Sequence, residues 1–134
     1  MKKYLFLILM VGFTGAAFAQ NSTSGPIITF EKKTHNFGDI VQGDVVEETF
    51  KFANTGTEPL IITNVQVTCG CTTPKGWPRD PILPGGKGEI TVAFNSAGKH
   101  GVQNKTVTVV SNASNADGAQ ISFTTNVLDK KVPQ

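Results

Sequence analysis

The stretch Val45-Val46-Glu47-Glu48-Thr49-Phe50-Lys51-Phe52-Ala53-Asn54 alternates between apolar and polar residues with a period of two. Val46, Phe50 and Phe52 fall on one face, and Glu47, Thr49 and Lys51 on the other. This is the pattern of a β-strand with one side buried. Glu48 lies on the apolar face and breaks the pattern, which places it near an edge. Asn54-Thr55-Gly56-Thr57-Glu58-Pro59 then reads as a turn, since these residue types tolerate or preset turn backbone angles.

The same grammar extends in both directions. Upstream, Ile27-Ile28-Thr29-Phe30 and Thr34 to Phe37 are short extended pieces, with turns expected at Gly38-Asp39 and at Gln42-Gly43-Asp44. Downstream, Leu60 to Val67 is a strand with an apolar start on both faces. Pro74, Pro78, Pro81 and Pro84 are too closely spaced for a helix or a central strand, so residues 74–87 read as an irregular excursion. Ile90, Val92 and Phe94 alternate inward along the next strand. A loop from Asn95 to Gly101, a strand from Val102 to Val110 and a polar turn from Ser111 to Gly118 follow. The last strand points Ile121, Phe123, Thr125 and Val127 inward.

With about seven short strands and no amphipathic helix in the mature chain, the expected fold is all-β: an antiparallel β-sandwich of immunoglobulin type over residues 27–128. The expected core is Phe50, Phe52, Ile61, Val65, Val67, Ile90, Val92, Phe94, Val107, Val109, Ile121, Phe123 and Val127. The Cys…Trp…Cys core of antibody domains is absent, because both cysteines lie on one segment. The two sheets must therefore hold by packing alone.

The N-terminus reads as an export signal. Lys2 and Lys3 precede an apolar run from Leu5 to Val11 and a small-x-small site at Ala17-Phe18-Ala19. Cleavage is expected after Ala19, leaving residues 20–26 as a flexible lead-in and 129–134 as a C-terminal tail. The stretch from Tyr4 to Ala19 is short for a membrane span of about 20 residues. No transmembrane anchor is expected after cleavage, and the expected location is the periplasm or the cell surface.

Losing Lys2 and Lys3 from the 12 basic residues leaves 10 against 10 acidic ones, a formal net charge of zero. No basic stripe remains to follow a phosphate backbone, so nucleic acid is not an expected partner. No Ser-His-Asp order, nucleophile elbow, carboxylate pair or phosphate loop is recognisable, so no enzymatic activity and no cofactor is expected. The sequons at Asn104 and Asn112 would matter only in a secreted eukaryotic context.

The chemically distinctive spot is Cys69-Gly70-Cys71, which holds both cysteines of the chain. Three readings of it stand. An oxidising envelope would join Cys69 to Cys71 in a local disulfide, which needs the chain to kink at Gly70. The two small side chains could instead pack at a sheet end, with Gly70 permitting a bulge. As a pair of thiolates, Cys69 and Cys71 suit Cu(I) or Zn(II), with His35 and His100 as the available imidazoles. Beyond them, Trp77 and Arg79 sit in a proline-stiffened loop and are residue types enriched in binding hot spots. Trp77 can equally fold back over a sandwich end.

Several pieces recur together as a signature: Phe37-Gly38-Asp39-Ile40, Phe50-Lys51-Phe52-Ala53-Asn54-Thr55-Gly56, Pro59-Leu60-Ile61-Ile62, Cys69-Gly70-Cys71-Thr72, Pro84-Gly85 and Phe94-Asn95. In this order the chain resembles the exported bacterial family called domain of unknown function 1573, frequent in Bacteroidetes and related to Hydin-like and major-sperm-protein-like folds. The resemblance spans roughly Phe30 to Val127. It implies the sandwich and export, and it carries no activity. The function expected is a non-enzymatic binding or assembly module of the bacterial envelope, acting through its strand edges and the Pro74–Pro84 loop on a protein or envelope component. The alternative is a periplasmic thiol-redox or copper-handling protein using Cys69 and Cys71.

Overall fold

A computed structural model describes residues 24–115 and 119–130. The expected signal peptide, the start of the lead-in and residues 131–134 of the tail lie outside the described residues. Among the described residues, eight strands form two four-stranded sheets. They are β1 (Ile28–Phe30), β2 (Thr34–Val41), β3 (Val45–Asn54), β4 (Ile62–Val67), β5 (Thr72–Gly76), β6 (Lys87–Asn95), β7 (Gly101–Ser111) and β8 (Gln120–Leu128). The first sheet has the order β1-β3-β6-β5 and the second β2-β8-β7-β4. All neighbours run antiparallel except β2 and β8, which are parallel.

The chain changes sheets at both lateral sides. Residues 31–33 carry it from β1, an edge of the first sheet, to β2, an edge of the second. Residues 68–71 carry it back from the β4 edge to the β5 edge. The inner faces meet in one core that includes Ile28, Phe50, Phe52, Leu60, Ile90, Phe94, Val107 and Ile121. Phe94 and Phe123 tie the sheets together with ring centroids 5.4 Å apart, and Phe37 packs edge-on against Phe123 at 5.4 Å. No cross-link joins the sheets, so apolar packing of this kind carries the sandwich.

Four expectations are corrected. Thr72–Gly76 is a strand, so the irregular excursion starts after Gly76 rather than at Pro74. A proline fits there because β5 is an edge strand, where one backbone side has no partner. Gly38-Asp39 is not a turn but a bulge inside β2, where the register with β8 shifts and Gly38 takes a φ of 73°. Ile61 is 41% exposed while Leu60 and Ile62 are buried, because the register of β4 shifts between Ile62 and Asn64, so the inward parity of Val65 and Val67 does not carry back to Ile61. Gly25 and Pro26 are buried and bonded to Thr57 and Ser114, so these two residues of the lead-in belong to the folded domain.

Glu48 does point to the inner face, at the seam where β1 has left the first sheet. It meets Lys32 of the crossing at 3.2 Å and His35 at the start of β2 at 3.3 Å, and so stays hydrated and paired. Asn54, by contrast, is fully buried. Its Oδ1 accepts from the Ile27 and Gly56 N–H groups, and its Nδ2 donates to the Glu58 and Ile82 carbonyls. All four hydrogen-bonding sites of the amide are thereby satisfied, as burial of a polar group demands.

Candidate functional site

β4 ends at Val67 on the second sheet and β5 begins at Thr72 on the first, so the segment between them has to turn sharply. The turn is closed by the Thr72 N–H donating to the Cys69 carbonyl at 3.1 Å, a four-residue β-turn with Gly70 and Cys71 at its centre. Cys69 and Cys71 are joined by a disulfide with their Cα atoms 5.2 Å apart, inside the ordinary span for such a bond. Of the three readings of the pair, the structure therefore shows the local crosslink. A sulfur held in that bond is not a thiolate ligand. His35 and His100 are engaged elsewhere, His35 at the Glu48 seam and His100 with Asp129 at 2.8 Å. Among the described residues no group of three or more His, Cys, Asp or Glu side chains gathers to hold a metal.

Gly70 is exposed, has an ordinary negative φ, and a Cβ there would meet nothing within 4 Å. The turn neither needs glycine's conformational freedom nor uses its small size. Cys71 is half-buried against the core, and its carbonyl accepts from the Asn95 N–H at 2.8 Å, which fastens the turn to β6.

β5 leads from this turn into the proline-rich arm, and Lys75 is paired with Glu47 at 2.6 Å across the outer face of the first sheet. Trp77 then folds inward and packs against the core cluster. The Arg79 guanidinium lies over its ring, with Cζ 3.9 Å from the centroid. The indole N–H is buried and has no acceptor among the described residues. The structure thus brings Trp77 and Arg79 together on one arm, a few residues along the chain from the locked turn. Arg79 itself is exposed. The Trp–Arg stack is a preformed cation–π contact.

The strand edges offer far less. Along β5, the bond from Asn95 to the Cys71 carbonyl sets the alternation, so Thr72 and Pro74 face away from β6. The Thr72 N–H is already taken by Cys69, and proline has none. On β1, the Asn115 amide both accepts from the Ile28 N–H (3.0 Å) and donates to its carbonyl (2.7 Å), as a neighbouring strand would. On β4, Asn64 caps the Val65 N–H. On β2, Asn36 and Asp44 cap the N–H groups of Gly38 and Val41. These devices blunt the sheet edges against strand addition. The edges are therefore poor templates for an added strand.

A family model described as a protein of unknown function, DUF1573, matches residues 28–127. The chain belongs to the DUF1573 family. No curated protein matches it. Among solved structures, it is similar to a protein of unknown function from Porphyromonas gingivalis W83, with 17% identity and a TM-score of 0.65. That match covers 81% of this chain and 50% of the other, so the DUF1573 chain spans half the length of that relative. It is also similar to the ASH/PapD-like domain 7 of human CEP192, with 11% identity, a TM-score of 0.56 and coverage of 78% and 87%. The VesB protease of Vibrio cholerae matches over 78% of this chain and 32% of its own, at 13% identity and a TM-score of 0.55. At these identities the likeness is one of fold.

Proposed function

We propose that this DUF1573 domain is a non-enzymatic binding module of the bacterial envelope whose recognition element is the arm from Cys69 to Arg79. The observation that carries the reading is the stacking of the exposed Arg79 guanidinium on Trp77 at 3.9 Å. Tryptophan and arginine dominate binding hot spots because they combine large contact area with directed hydrogen bonding. Here they are ordered before any partner arrives, which lowers the entropy lost on binding. The disulfide turn and the Lys75–Glu47 pair hold the base of the arm on the first sheet. Export is supported by the leader-like N-terminus and by a cysteine pair in disulfide form, which persists in oxidising compartments.

The test is capture from the envelope fraction under mild cross-linking, comparing the mature domain with Arg79→Ala. A partner retained by the native domain and reduced about tenfold in the variant fits a hot-spot arginine. Equal retention by both proteins sinks the reading.

A further inference from the structure

We propose that the outer face of the second sheet, across β2, β8 and β7, is a binding surface for a neutral polyhydroxylated polymer, that is, an uncharged polysaccharide. This face is separate from the Trp77 arm, which belongs to the first sheet and its excursion.

The register sets up the chemistry. Thr34, Ser122 and Thr106 form one row across the three strands, and Asn36, Thr124 and Asn104 form the next. All six side chains are uncharged and point away from the core, as do the outward positions beyond them on β4. Asp39 is the single charged residue among the outward positions of these four strands, and the Asn126 amide binds it at 3.0 Å. The first sheet is built in the opposite way. Its outer face sets Lys51 against Glu89 across the strands and pairs Lys75 with Glu47. One face is thus laced with charge and the other almost free of it.

That asymmetry has an energetic consequence. Charged groups are the most costly to remove from water, so a face without them is the easier one to cover. It has no lysine or arginine across its rows to hold a phosphate, sulfate or uronate. It also lacks the aromatic and arginine anchors on which protein interfaces depend. Its two central rows offer hydroxyl and amide groups, each both donor and acceptor, repeated about every 4.8 Å across the strands and about every 6.8 Å along them, while Val41, Val102 and Leu128 are exposed at one end of the same face. The hydroxyls of Thr34, Ser122, Thr106 and Thr124 carry no side-chain hydrogen bond among the described residues, whereas Asn36 is already committed to the Gly38 N–H. A shallow depression of about 300 Å³ opens at Thr34, Thr106, Gln120 and Ser122, with Lys33 at its rim. A chain of neutral sugars presents the complementary hydroxyls at short, regular intervals and brings no charge to desolvate.

Affinity electrophoresis of the mature domain in native gels carrying hydroxyethyl cellulose, glucomannan or soluble starch tests this, with carboxymethyl cellulose as the charged control. Retardation is expected in at least one neutral polymer. It should weaken about tenfold or more in Thr106→Lys/Thr124→Lys, which removes two contacts and places charge mid-face. The matched pair Thr49→Lys/Thr91→Lys on the first sheet should leave it unchanged, and circular dichroism checks that both variants fold. The proposal is overturned by free migration in every neutral polymer, by retardation in the charged polymer alone, or by retention that survives the Thr106/Thr124 change.

Discussion

Asn54 carries more of this fold than its place in an Asn-Thr-Gly turn suggests. Its amide bonds the start of β1, the turn itself and the far side of the proline-rich excursion at once. Removing a fully buried amide orphans several backbone groups, so Asn54→Ala is expected to lose about 2–4 kcal/mol in urea unfolding. The two glycines next to distinctive motifs separate just as clearly. At Gly56 an added Cβ would run into the Gly25 carbonyl oxygen and the Ile27 nitrogen, which are backbone atoms that cannot swing aside. At Gly70 it would meet open space. Gly56→Ala should therefore cost roughly 1–3 kcal/mol and Gly70→Ala less than about 0.5 kcal/mol. In the sequence Gly70 draws the eye because cysteines flank it, and Asn54 reads only as a turn former. What distinguishes them is burial and long-range partners, which a local pattern does not encode.

At the scale of elements, the crossing from β4 to β5 is where sequence and structure differ most usefully. Alternation of apolar side chains made β3, β6, β7 and β8 legible, since each has one face in the core and one in water. β5 was not legible, because the proline that argues against a strand is tolerated where it faces an open edge. The disulfide beside it closes a loop of three residues, so by loop-closure entropy it contributes only about 1–2 kcal/mol. Reduction is expected to lower the unfolding midpoint modestly and leave the β-sheet circular dichroism intact. Pro74→Thr restores an outward N–H on the β5 edge, and light scattering should then show a concentration-dependent rise in mass. A strictly monomeric variant would contradict the guarding role given to this proline.

Across the whole molecule, the two sheets are closed at both sides by the chain itself, and one aromatic and aliphatic core lies between them. Unfolding should accordingly be a single transition, with the fluorescence of Trp77, the one tryptophan, and far-UV circular dichroism coincident. The sandwich was readable from periodicity and from the ordered family signature. The nearly charge-free outer face was not, because Thr34, Asn104 and Ser122 become neighbours only once β2, β7 and β8 are placed side by side. The proposed binding role rests on the Trp77–Arg79 arm, and site-specific photo-crosslinking in cells addresses it most directly. With a photoreactive residue at Asp80, beside the stack, and a control at Thr91 on the first sheet, a discrete adduct is expected from position 80 alone. No adduct at position 80, or the same adducts from both positions, would contradict it.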